Sequence, residues 1–263
     1  LSQLNQLVAH TGLQLGSPLT PSTETRLSLL LTELGLDSVD TLVEALGNEG
    51  PNGPLLQKTI GVLTHRPEQF FQEYKVFKFI RKAIFPYLAK RKPSPSPLRV
   101  LVIGDSIGTD VYSLSILADE SAWGTERHIE VTGYDISKTA ADFHRVGLYS
   151  AQTIAASMPS AFIKSHFQEV GDDWRITSRH HERCNFVEVH PELEWPDQHA
   201  FDLVVLRNVL AYLPESVRKE VVDELKLHLK PGSFVVCIGG AHALANDQKF
   251  KTTSVEGIHC SDT

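Results

Sequence analysis

The sequence predicts an α/β fold, a mostly parallel sheet covered by helices, preceded by an all-helical region. Short apolar runs alternate with helical stretches after residue 99. Strands are expected at Arg99–Ile103, Ile129–Tyr134, Asn185–Val189, Leu203–Leu206 and Ser233–Ile238, and helices at Asp110–Ala118, Ser137–Val146 and Pro214–Leu229. That alternation is the signature of strands joined by crossover helices. Residues 1–90 carry helical periodicity throughout, and Lys90–Pro97 (KRKPSPSP) joins the two regions. Its three prolines deny hydrogen bonds to helix or sheet and favour an extended spacer. The expected organisation is therefore a helical domain over 1–90, a linker over 91–98 and an α/β domain over 99–263.

Within the helical region, Leu27, Leu30, Leu31, Leu34 and Leu36 mark one helix that stops near Gly35. Ser38 is the expected N-cap of a second helix carrying Leu42, Val43 and Leu46 and ending at Gly47. Asn48–Pro54 (NEGPNGP) reads as a loop. A longer helix over Gln72–Ala89 is expected to place Tyr74, Phe77, Ile80, Ile84 and Tyr87 on one side, with Lys75, Lys78, Arg81 and Lys82 on the other.

The chain has 263 residues, 41% hydrophobic and 22% charged, so it can bury a core and lacks the composition of a disordered segment. A net charge of −7 disfavours a nucleic-acid partner. Cys184, Cys237 and Cys260 form no CxxC pair, so neither a disulfide framework nor a metal site is expected, and a reduced cytoplasmic setting fits. The histidines are scattered and read as mostly surface residues. No apolar run reaches the ~20 residues of a membrane span. The start at Leu1 rather than Met reads as a trimmed or excised chain.

The first strand runs into Gly104-Asp105-Ser106-Ile107-Gly108-Thr109-Asp110. Glycines at a strand-to-helix turn let a ligand approach the backbone at the carboxyl edge of the sheet. The spacing is GxxxG, not the GxGxxG of a dinucleotide pyrophosphate site. On its own it is also compatible with a plain tight turn. The second strand ends in Asp135, which suits either two ribose hydroxyls or the cap of the next helix. Arg207 and Asn208 emerge at the end of the fourth strand, with Tyr212 five residues past Arg207. They are either cleft residues or a surface Arg and a core Tyr.

Together these motifs resemble the chemotaxis receptor methyltransferase family, CheR, over nearly the full length. The family's double Phe is matched by Phe70-Phe71, its "PYSL" by Val111-Tyr112-Ser113-Leu114, and its "DID…R.GIY" by Asp135-Ile136-Ser137 and Arg145–Tyr149. "FDLIFCRNVLIYF" is matched at Phe201–Leu213, the most discriminating run, and "L.PGG" at Leu229–Ser233.

The resemblance implies a Rossmann-like class I methyltransferase sheet with a short inserted β-subdomain at about 160–186 that docks a receptor tail in some members. It implies S-adenosylmethionine (SAM) as cofactor, S-adenosylhomocysteine as product, and O-methylation of protein glutamate side chains. Asp110 then holds the methionine ammonium and Asp135 the ribose, with Gly104, Gly108, Ile136, His190, Leu206, Arg207 and Asn208 completing the cofactor site. Arg207 and Tyr212 match the family's active-site pair.

Several positions depart from the pattern. Arg66 and Glu68 stand where the family places Asn and Thr, and Gln72 where it has an Arg that anchors carboxylates. His190-Pro191 replaces Asn-Leu, and Gly239–His242 replaces "GHSE". Residues 1–60 are acidic, which opposes docking on an acidic partner there, while Lys75–Lys92 is basic, either a docking face or merely a solvated one. The alternatives are therefore a catalytically impaired SAM-binding sensor or scaffold, or a class I methyltransferase with another substrate.

Overall fold

A computed structural model describes residues 4, 21–49, 53–64, 69–91, 96–105, 107–121, 128–135, 145–189, 201–207, 209–213, 215–238, 251–255 and 258–262. Most of the helix expected at Ser137–Val146 lies outside the described residues, as does most of the linker.

Three helices open the chain, α1 (Pro21–Leu34), α2 (Val39–Glu49) and α3 (Pro54–Thr64). Gly35, at φ 64°, ends α1, and the Leu36 amide returns to the Leu31 carbonyl at 2.9 Å, a Schellman closure that needs the left-handed residue. Ser38 caps α2 as expected, its Oγ accepting from Thr41 N at 3.2 Å. The helix does not stop at Gly47. It continues to Glu49, whose Oε2 accepts from Leu55 N at 2.8 Å and Leu56 N at 3.3 Å, so the last residue of α2 caps α3. Leu27, Leu30, Leu42, Leu46, Leu56, Ile60 and Leu63 form a core of their own. Each such burial stabilises the fold by about 1.5–3 kcal/mol.

The expected long helix is α4 (Tyr74–Phe79), a π-turn (Ile80–Ile84) and α5 (Phe85–Arg91) in one run. Its buried face is Val76, Phe77, Ile80, Ile84, Phe85 and Leu88. Tyr74 and Tyr87, expected on that face, are 69% and 37% exposed. The wide turn supplies the reason: a π-turn rotates the stripe away from a strict 3.6-residue period. These apolar residues pack with the sheet rather than with α1–α3.

The large sheet contains β1 (Leu98–Ile103), β2 (Ile129–Asp135), β6 (Cys184–Glu188), β7 (Phe201–Arg207), β8 (Leu229–Ile238), β9 (Lys251–Val255) and β10 (Ile258–Asp262). Their order is β6-β2-β1-β7-β8-β10-β9, with β10 antiparallel to both neighbours and the other pairings parallel. Every residue of β7 is buried, which its continuous apolar run requires. Helices α6 (Thr109–Asp119) and α11 (Glu215–His228) follow β1 and precede β8. Strand order departs in opposite directions from β1 and β7, so the crevice at their carboxyl ends is a topological switch point.

A second sheet, β3 (Leu148–Ser150), β5 (Asp173–Ile176) and β4 (Phe167–Val170), is antiparallel in the order β3-β5-β4. It reaches back before residue 160, while Cys184–Glu188 belongs to the large sheet. Short helices α7 (Ala151–Ser157), α8 (Ser160–His166) and α9 (Ser178–His181) complete it, and α10 (Val209–Tyr212) follows β7.

Candidate active site at the switch point

The turn after β1 brings two strands close together. Gly104 has φ 84°, and a Cβ there would lie 2.8 Å from the Arg207 carbonyl oxygen and 2.5 Å from Val209 Cγ2. Only glycine fits. Gly108, at φ 77°, starts α6 without a side-chain cap of its own. The cap comes from Asp105, whose Oδ2 accepts from Asp110 N at 2.9 Å and Val111 N at 2.8 Å.

That cap decides which ligand the turn suits. The first amides of a helix attract phosphate, but here they already hold a carboxylate. Asp105 and Asp110 are both buried, and Asp135 ends β2 beside them, half-buried. Burial pushes Asp105 up to about 6, against the pull of the Val111 amide and the Arg207 charge, and Asp135 pushes it further up. A site with three carboxylates around one guanidinium repels pyrophosphate and suits a cationic ligand such as SAM.

Arg207, the last residue of β7, reaches into the same place. Its Nε donates to Asp110 Oδ2 in a very short contact and its Nη2 donates to Asp110 Oδ1 at 2.8 Å, a bidentate pair buried on both sides. The far edge of the guanidinium meets Gln72, with Nη1 donating to Oε1 at 3.5 Å and Nη2 to the backbone oxygen at 3.3 Å. Gln72 therefore faces Arg207 as an acceptor. A second arginine at position 72 would set two guanidinium groups against each other.

Gln72 is held there by strained backbone. Phe71 and Glu73 on either side have φ 54° and 63°, left-handed values that cost a non-glycine residue about 1–3 kcal/mol. Neighbours offset the cost. Ser113 Oγ accepts from Phe71 N at 2.9 Å and Ser157 Oγ from Phe70 N at 3.1 Å. The Phe70 ring packs edge-on against Tyr149 and Phe167, and Phe71 against Phe77 and Phe162. The Tyr149 hydroxyl donates to the Ile107 carbonyl at 2.9 Å, tying the small sheet to the glycine turn.

The structure thus brings together Gly104, Gly108, Asp110, Asp135 and Arg207, with Leu206 buried in β7. Ile136, His190 and Asn208 lie outside the described residues, as do Arg66, Glu68, Gly239–His242 and the side chain of Tyr212. Sequence reasoning missed Asp105 and the strained Phe71–Glu73 segment. An acid one residue after the turn glycine was the available signal for the first; no sequence signal marks the second.

A model of the CheR methyltransferase SAM-binding domain matches residues 67–258. The chain belongs to this family. Among CheR relatives, the chemotaxis protein methyltransferase Cher2 of Pseudomonas putida is 24% identical over 238 residues, 89% of this chain and 86% of that protein. Chemotaxis protein methyltransferase 1 of Vibrio cholerae is 22% identical over 259 residues, 97% and 91% of the two chains. Among solved structures, the N-methyltransferase NodS of Bradyrhizobium japonicum with S-adenosyl-L-homocysteine aligns at a TM-score of 0.41 and 12% identity, over 73% of this chain and 85% of that one. As a CheR protein the chain is a SAM-dependent methyltransferase on a Rossmann-like sheet.

Proposed function

We propose that this enzyme transfers the SAM methyl group to glutamate side chains of a chemotaxis-type receptor or related signalling protein, acting in the cytoplasm. The observation that supports it best is the convergence of the glycine turn, Asp110, Asp135 and Arg207 at one switch point. In this reading Asp110 takes the methionine ammonium, Asp135 the ribose hydroxyls, and Arg207 orients the acceptor carboxylate with Tyr212 lining the approach. We also read the chain as a helical N-terminal domain followed by the SAM-binding domain, a division supported by the separate core of α1–α3.

SAM supplies a sulfonium-activated methyl group. A glutamate, with an ordinary pKa near 4.3, is already the nucleophile at neutral pH, so no general base is required. What this chain contributes is orientation and the exclusion of water around the carboxylate. The substrate name rests on the relatives, which are chemotaxis protein methyltransferases.

A second reading, a SAM-binding module that does not transfer methyl groups, is favoured by one observation. The guanidinium of Arg207 is engaged by Asp110 and by Gln72, so an acceptor carboxylate must compete for it. The experiment is incubation with labelled SAM and acidic receptor segments, followed by measurement of base-labile methanol. Methanol release supports glutamyl ester formation. Stable label on the protein contradicts it, and SAM binding with no transfer to any segment favours the second reading.

A further inference from the structure

The histidines do not all lie at the surface: His166 and His180 are fully buried and face each other, His166 Nδ1 2.9 Å from His180 Nε2. They come from α8 and α9 beside the small sheet and meet the last turn of α6. There Asp119 Oδ2 is 3.8 Å from His180 Nε2, buried and without an aligned hydrogen bond. The three donor atoms all lie within 4.8 Å of one another.

We propose that His166, His180 and Asp119 form a site for a divalent cation of the zinc class, fastening the inserted β-subdomain to α6. With bonds of about 2.0–2.2 Å, tetrahedral ligand atoms sit roughly 3.3 Å apart. The separations of 2.9 and 3.8 Å fall on either side of that value, so a few tenths of an ångström of adjustment suffice. The outer ring atoms are already supported. His166 Nε2 meets Glu120 Oε1 at 3.1 Å and His180 Nδ1 meets Ser115 Oγ at 2.9 Å. Such partners fix the tautomer of a metal-binding imidazole. On binding, the proton shared between the two rings leaves, and His180 carries its remaining hydrogen on Nδ1, donated to Ser115. Burial lowers both histidines, so they are neutral at physiological pH and have lone pairs to give.

In the absence of metal the cation position is covered by Arg179. Its Nε is 2.8 Å from Asp119 Oδ2, and its Nη2 is 3.4 Å from His166 Nδ1 and 3.5 Å from His180 Nε2. This side chain is half exposed and can turn to solvent, while Arg183, paired with Asp119 Oδ1, stays. The charges around the site are Asp119, Glu120, Arg179 and Arg183, and exchanging Arg179 for a divalent ion leaves a net charge of about +1.

The test titrates the chelator-treated full chain with Co²⁺ and Zn²⁺, following visible absorbance, heat and thermal stability. Wild type should take up one equivalent and gain stability with metal concentration. Arg179→Gln, which removes the competing cation, should bind at least tenfold more tightly, and His166→Gln at least tenfold more weakly. The proposal is overturned if neither wild type nor Arg179→Gln takes up a stoichiometric ion, or if His166→Gln binds as wild type does, which would assign the uptake to surface histidines. If His166→Gln fails to fold, unchanged affinity in Arg179→Gln is by itself sufficient to reject the site.

Discussion

Asp110→Asn tests the ion pair at the centre of the site. The substitution keeps the shape of the side chain and removes its charge, leaving Arg207 buried with only the longer Gln72 contacts of 3.3 and 3.5 Å. Breaking a buried pair by removing one partner costs about 3–5 kcal/mol. At about 2–4 °C per kcal/mol for a chain of this size, the melting temperature should fall by about 6–20 °C. Cofactor affinity should fall as well, because the methionine ammonium loses a charged acceptor worth about 1.5–3 kcal/mol, or roughly 10–150-fold in Kd. Thermal unfolding and calorimetric titration with S-adenosylhomocysteine read the two effects separately. Asp135→Asn supplies the contrast: at the half-buried end of β2 it should weaken cofactor by roughly 1–3 kcal/mol and scarcely change the melting temperature. A normal melting temperature and normal affinity in Asp110→Asn would refute both the buried pair and its role in binding.

Gly104→Ala should destabilise by about 1–3 kcal/mol or more, because its Cβ meets backbone at 2.8 Å on top of the positive φ. Gly171→Ala, at φ 63° with nothing within 4 Å, should show only the conformational cost of about 1 kcal/mol, and equal losses in chemical denaturation would contradict the close approach of β1 to β7. Asp105, raised from 3.8 to about 6, binds a proton more readily folded than unfolded, so its contribution to stability is full below pH 3.8 and is lost as pH rises through about 6. A cationic cofactor favours the ionised form, so SAM affinity should weaken as pH falls below about 6, by up to tenfold per unit. Calorimetry at pH 5 and 7 checks this, and Asp105→Asn should flatten the dependence.

Much of the sheet was readable because its strands obey local rules. Phe201–Arg207 is a continuous apolar run that only a strand buried on both faces can use. Ser38 and Gly35 punctuate helices by capping chemistry contained within a few residues. What escaped the reading depends on distant partners. The α2 helix passes Gly47 because Glu49 finds the amides of α3, and the apolar stripe of α4–α5 shifts because of a π-turn that no periodicity encodes. The site follows the same division. Asp110, Asp135 and Arg207 were legible from their places at strand ends. The role of Gln72 was not, since it comes from left-handed backbone at Phe71 and Glu73 that Ser113 and Ser157 hold from elsewhere. His166 and His180, 14 residues apart, looked like surface residues because nothing local marks their meeting.

The central claim is that the carboxyl ends of β1, β2 and β7 form a cofactor site for SAM and not for a dinucleotide, because Asp105 already occupies the amides of α6. Calorimetric titration of the full chain with SAM, S-adenosylhomocysteine and NAD tests it most directly. One equivalent of SAM or its product should bind in the micromolar range, with no measurable heat from NAD. Silence with both sulfur ligands, or NAD binding as strong as SAM, would contradict the account.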